Sequence, residues 1–147
     1  MNRITQCLSI GPFASAERAP QLLAAGVTHV LNVSDGPSHL SPADGFADVA
    51  WVSMRDDRRL TRETTVWALD AVHAFAAVPG AHVYVHCVLG MVRSPTILWL
   101  YLIALGVPPK DARTWIESRA PRASAGSARM VDREHVLLAQ MHGLMHY

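Results

Sequence analysis

Cysteine is scarce. The 147 residues hold two, Cys7 and Cys87, far apart and outside any paired-spacing motif. That excludes a disulfide framework or a cysteine-based zinc site as the organising device, and makes a reducing compartment, the cytoplasm, the expectation. Charge of one sign is missing too: 13 Lys plus Arg face 12 Asp plus Glu, so no global field draws nucleic acid or an acidic membrane surface. Only 17% of residues are charged while 50% are apolar, a balance that predicts a compact fold. The apolar run from Thr96 to Val107 is too short to cross a bilayer, which takes about 20 residues. The start, "MNRITQCLSIGPF", lacks the charged-then-apolar pattern of a signal peptide. Repeats, low-complexity tracts and an interdomain linker are also absent, so residues 1–147 are read as one domain without membrane insertion or a nucleic-acid partner.

What is there alternates between two periodicities. "ITQCLSI" (Ile4 to Ile10), "VTHVLNV" (Val27 to Val33), "DVAWVSM" (Asp48 to Met54) and "HVYVH" (His82 to His86) are β-type tracts bounded by turn signals. A short helix before Gly26 with Pro20 in its first turn separates the first two. A second, capped by Thr61, runs toward Pro79 on the spacing of Val66, Leu69, Val72 and Ala76. Three more are expected over Pro95 to Leu105, Pro109 to Arg119 and Ser127 to Met145. Strands separated by helices imply an α/β fold, with a central, mainly parallel sheet of about four or five strands flanked by helices. Ligands in such sheets bind beyond the carboxyl ends of the strands.

One segment at such an end concentrates chemistry: "HCVLGMVRSPT", His86 to Thr96. A thiol stands six positions before a guanidinium, between a strand and a helix, so the two groups meet only if the chain between them curls. Ser94 and Pro95 suit the N-cap and first position of the helix, and Gly90 supplies the freedom a tight curl needs. The amides of Val88, Leu89, Gly90, Met91, Val92 and Arg93 would then converge on a cradle the size of a phosphate, at the positive end of a helix. Arg93 adds a planar fork for two oxygens of a tetrahedral dianion. An ordinary cysteine, with a pKa near ~8.5, is a few per cent thiolate at neutral pH, and everything around Cys87 favours the ion.

At these residues the sequence resembles the cysteine-dependent protein tyrosine phosphatase superfamily, whose signature is His-Cys, five residues, Arg, then Ser or Thr. The small dual-specificity branch fits best. "ITQCLSIGPFASAERAPQLLAAGVTHVLNVS" looks like its opening strand, short helix and next strand, and "RSPTILWLYLIALGVPPKDARTWIESR" like its helices after the loop. The likeness covers roughly residues 3 to 120. "APRASAGSARMVDREHVLLAQ" lacks the Pro-Asn element expected behind the loop. The resemblance implies a phosphatase fold and metal-independent hydrolysis of phosphomonoesters without a cofactor. Cys87 is then the nucleophile, Arg93 the clamp on the transition state, and Ser94 the aid to thiolate departure. His86 is implied to orient the loop from behind and tune Cys87, with a plain strand-end histidine as the alternative. Asn32, in "VLNV", reads either as a hydrogen-bonding buttress of the loop or as an ordinary strand residue.

The resemblance further implies an aspartate about thirty residues ahead of the cysteine as acid and then base. Asp56 is preferred on spacing, Asp57 is the alternative, and Asp35 stands next in line. Arg55, Arg58, Arg59 and Arg62 around that pair read as a solvated face rather than a polyanion site. Trp51, Trp67, Trp99 and Trp115 read as packing residues. His135, His142 and His146, on one helix, are not read as a metal site. Cys7 reads as a core residue, with a protective disulfide to oxidised Cys87 as the competing idea. The expected partner is a phosphoprotein carrying phosphotyrosine, with phosphoserine and phosphothreonine as further substrates, and phosphate or another oxyanion would occupy the loop. A sulfurtransferase and a non-catalytic phosphoprotein-binding module are the rival readings.

Overall fold

The computed structural model describes residues 1–147. Five strands form one sheet: β1 (Asn2–Arg3), β2 (Leu8–Gly11), β3 (His29–Asn32), β4 (Asp48–Trp51) and β5 (Val83–His86), in the order β1-β2-β5-β3-β4. All neighbours are parallel except β1 and β2. Five α-helices accompany them: α1 (Ala19–Ala24), α2 (Arg62–Ala76), α3 (Arg93–Ala104), α4 (Pro109–Arg119) and α5 (Arg133–His146).

The three inner strands are buried at every residue, as strands covered on both faces must be. Period-two alternation divides them between two cores. Leu31, Val33, Val83 and Val85 face the large core built with α2, α3, α4 and α5, while Val30 and Tyr84 face a smaller one with Leu22 of α1, Leu40 and Phe46. Helix α3 is apolar all round and buried at all twelve positions, running beneath the sheet from its carboxyl edge. Local chemistry sets the ends of its neighbours. Thr61 caps α2 by accepting from the Thr64 N–H at 3.1 Å, and the Asp132 carboxylate caps α5 by accepting from the Glu134 N–H at 2.9 Å.

Several expectations shift. Ile4 to Ile10 is not one strand: Ile4 and Thr5 donate to the Leu8 carbonyl and fold the chain back, so β1 and β2 pair antiparallel. Cys7 therefore lies in a turn rather than a strand, half-buried at the amino end of β2. Helix α3 begins at Arg93 with Val92 as its cap residue, so Ser94 and Pro95 sit inside its first turn, not at its cap and first position. Residues 127–132 make turns instead of the first turn of the last helix, because Ser127 and Met130 bond within that stretch and Asp132 is the cap. The fourth strand stops at Trp51. Of the four tryptophans only Trp99 is buried, while Trp51, Trp67 and Trp115 are exposed.

Candidate active site

β5 occupies the middle of the sheet, and Cys87 follows its last residue. From there residues 87–92 curl back toward the first turn of α3. The curl is pinned from three sides: the Phe13 N–H donates to the Val88 carbonyl at 2.8 Å, Val33 N–H to His86 at 2.8 Å, and Ser124 N–H to Met91 at 2.6 Å. Gly90 makes the tightest bend, with φ +74, and leans on the backbone of Gly11, where an added Cβ would fall 2.5 Å from the Gly11 carbonyl carbon.

Cys87 is almost wholly enclosed, 2% exposed as a residue. Burial pushes the thiol up, yet the Ser94 N–H, the Ser94 hydroxyl, the Gly90 N–H and the Arg93 charge outweigh it and hold Cys87 below the ordinary thiol value. The Ser94 Oγ stands 3.5 Å from Sγ, and against an ionised sulfur it is the donor. His86 lies behind. Burial drives its pKa down to about 4, so at neutral pH the ring is uncharged, and its Nδ1–H donates to the Cys87 carbonyl at 3.1 Å. Phe13 meets the His86 ring edge-on, at 4.9 Å between centroids.

Arg93 is buried, and both of its recorded bonds leave from one nitrogen. Nη1 donates to Asp35 Oδ1 at 2.8 Å and to the Met54 carbonyl at 3.1 Å. An Nη carries two protons, so Nη1 is saturated and the Nε/Nη2 edge of the fork stays free for oxygens. Asp35, a candidate acid from sequence, is thereby the partner of the arginine, and the hydrogen bond from Arg93 holds its carboxyl below the usual range.

The two adjacent aspartates part company. Arg55 grips Asp57 with Nε and Nη2, at 2.9 and 2.7 Å, and Arg58 adds a weaker contact at 3.6 Å. The Arg55 bond holds the Asp57 carboxyl below its ordinary value and occupies both of its oxygens, so the group is engaged in an ion pair rather than free to donate a proton. Asp56 is exposed and outside those ion pairs. Arg59 turns away to the Ala128 and Val131 carbonyls and Asp132. Arg62 lines a groove with Glu134 and Leu138.

Asn32 does not buttress the phosphate-binding curl. Its side chain donates to the Gly36 carbonyl at 2.8 Å and to Ser38 Oγ at 3.2 Å, and accepts from the Ser34 N–H at 2.9 Å. It therefore organises the turn that carries Asp35. Nor can Cys7 and Cys87 pair in this fold. The Leu8↔Val83 and Gly11↔His86 register puts them at opposite ends of adjacent strands, about 16 Å apart at 3.3 Å per residue. A disulfide needs Cα atoms within about 7 Å. The missing Pro-Asn element is replaced by residues 124–127: besides the bond to Met91, the Ser127 N–H reaches Thr96 Oγ1 at 3.2 Å. On α5, His135 bonds Asp132 and the Leu60 carbonyl, and His142 bonds Asp70.

Sequence reasoning missed Gly11, the Met54 carbonyl and the pairing of Asp35 with Arg93. All three depend on contacts between segments distant in the chain.

A family model, "Swiss Army Knife protein, DSP-PTPase phosphatase domain" (PTP-SAK), matches residues 7–140. Dual specificity protein phosphatase 1B of Arabidopsis thaliana is 35% identical over 106 residues, 70% of this chain and 60% of that protein's own length. The fold superposes on PTPMT1 in complex with PI(5)P with a TM-score of 0.76 at 19% identity, covering 97% of this chain and 94% of that one. Human DUSP28 gives 0.69 at 23% identity, covering 98% and 93%. At those identities the two structures speak to fold alone. No helix is long and apolar enough to cross a membrane.

Proposed function

The chain belongs to the dual-specificity phosphatase domains of the cysteine-dependent protein tyrosine phosphatase superfamily, and on that premise we propose that it hydrolyses phosphomonoesters of proteins through a phosphocysteine at Cys87. One observation carries the reading: a buried thiol held below its ordinary pKa by the Ser94 and Gly90 amides, the Ser94 hydroxyl and Arg93. The same donors that hold a thiolate are arranged to hold the oxygens of a phosphoryl group.

In the first step the Cys87 thiolate attacks phosphorus. The P–O ester bond breaks, and the leaving oxygen takes a proton from Asp56. The Nε/Nη2 edge of Arg93 and the amides of residues 88–93 hold the equatorial oxygens as charge spreads over them. In the second step water attacks the phosphocysteine, gives a proton to the Asp56 carboxylate and yields inorganic phosphate. The thiolate departs against the Ser94 hydroxyl. His86 keeps the loop in register through the Cys87 carbonyl.

A phosphoprotein substrate is supported by the apolar outer face of the loop, where Val88 and Leu89 are exposed and no basic side chain precedes Arg93. A polyanionic headgroup would find little there to hold its further phosphates. The test is a panel of phosphotyrosine peptide, phosphothreonine peptide and phosphoinositide, each with the wild type and Cys87→Ser. Turnover of a phosphopeptide, lost in Cys87→Ser, supports the reading. Preference for the phosphoinositide overturns the substrate class, and thiosulfate sulfurtransfer or stoichiometric phosphopeptide binding without turnover overturns the activity.

A further inference from the structure

We propose that Asp35 is a positioning residue for the reaction: through Arg93 Nη1 it turns the free edge of the guanidinium toward the phosphoryl group, on a turn built for that purpose. The inference rests on the phosphatase reading and adds a third segment, residues 32–38, to the loop and the acid.

Three features carry it. First, the ion pair is asymmetric. The Arg93 side chain is 8% exposed and that of Asp35 53%, with a 2.8 Å bond between them, so the carboxylate reaches inward from the rim to a guanidinium that has lost its water. Second, both Nη1 protons are spent, one on Asp35 and one on the Met54 carbonyl. Two anchors on one nitrogen fix the plane of the guanidinium, and a fixed plane is what a bidentate grip requires. Third, the turn is braced on every side. Asn32 bonds Gly36, Ser38 and Ser34; the Ser34 hydroxyl donates to the Gly36 carbonyl and accepts from its N–H; and the indole of Trp51 donates to the Ser34 carbonyl at 2.9 Å. Asn32 and Ser34 are fully buried, so the Asn32 to Ser34 bond is sheltered from water and the others are sheltered at their inner ends. Asp35 is the exposed residue held between them.

Position and charge pull in opposite directions here, which gives the proposal a signature. As an anion near the phosphate site, Asp35 weakens the binding of a ground-state dianion. As an anchor, it strengthens the grip on the five-coordinate transition state. Removing it should therefore lower turnover while sparing ground-state affinity.

The experiment compares Asp35→Ala, Asp35→Glu and wild type in kcat and KM on an aryl phosphate. It also follows inorganic phosphate and vanadate affinity by calorimetry, and thermal midpoint. Asp35→Ala should lose about 10- to 100-fold in kcat and about 10-fold or more in vanadate affinity. Phosphate affinity should stay within about threefold or tighten, with the midpoint little changed. Asp35→Glu, which restores the anchor one methylene longer, should recover part of both losses. Wild-type kcat and vanadate affinity in Asp35→Ala would overturn the proposal, as would equal losses of phosphate and vanadate affinity with a lowered midpoint. Vanadate and phosphate binding require no turnover. If the wild type hydrolyses no phosphoester, the phosphatase reading fails while the vanadate-to-phosphate ratio still decides the role of Asp35.

Discussion

Gly90→Ala tests how tightly the curl is built. At φ +74 an alanine costs about 1–2 kcal/mol relative to glycine. The new methyl would also lie 2.5 Å from the Gly11 carbonyl carbon and 2.6 Å from its oxygen, where ordinary contact begins at 3.4 Å. About 0.9 Å of movement is needed, and Gly11 cannot supply it. The Tyr84 ring fills the space where a Gly11 side chain would stand, and its hydroxyl is held by donating to the Pro12 carbonyl at 2.5 Å. The curl must yield instead, and with it the Gly90 N–H that faces Cys87. A displacement near 1 Å in a catalytic loop costs about 10²-fold in rate. Strain and clash together should cost about 2–4 kcal/mol, or roughly 5–15 °C in Tm for a chain of this size. Turnover of para-nitrophenyl phosphate and a circular dichroism melt measure the two effects. A kcat/KM within threefold of wild type, with Tm lowered by less than about 2 °C, would refute the tight packing of Gly90 on Gly11.

Three further outcomes are expected. Asp56→Asn should slow phosphopeptide hydrolysis by about 10²- to 10⁴-fold, with a smaller loss on an activated aryl phosphate. Asp57→Asn should show neither effect, and if it alone shows both, the two roles exchange. Arg93→Lys should cost far more than its conserved charge suggests, on the order of 10²-fold or more in kcat, since one ammonium cannot satisfy Asp35, Met54 and two phosphoryl oxygens together; near-normal steady-state kinetics would contradict the clamp. In a Cys7→Ser background, the pH midpoint for iodoacetamide alkylation of Cys87 should lie below that of an ordinary thiol, about 8.5. It should rise in Ser94→Ala, and an unchanged midpoint would remove the hydroxyl from the set holding the thiolate.

Much of this molecule was legible in its sequence wherever the cause is local. The alternation of strands and helices, the Thr61 cap, the burial of α3 and the curl between Cys87 and Arg93 all follow from neighbours within a few positions. What escaped depends on distant segments meeting. Nothing near Asp35 in the chain announces that its carboxylate meets a guanidinium 58 positions later. Asn32 reads from sequence as a buttress of the phosphate loop or as an ordinary strand residue, but its amide finds its partners in the turn that follows it. Cys7 sits in a β-like run, and only the pairing of Asn2 and Arg3 with Ile10 and Ser9 bends that run into a turn. The exposed Trp51 and Trp67 show the same limit, since their size suggested burial while their places on an edge strand and an outer helix face decided otherwise.

Turnover by the proposed route passes through a covalent bond between Cys87 and phosphorus. Rapid acid quench of the wild type turning over a radiolabelled phosphotyrosine peptide, followed by peptide mapping, measures it. Label is expected on the peptide holding Cys87, formed within the first turnover, discharged as inorganic phosphate, and absent from Cys87→Ser. Full turnover with no label on that peptide, or equal labelling and turnover in Cys87→Ser, would contradict that route.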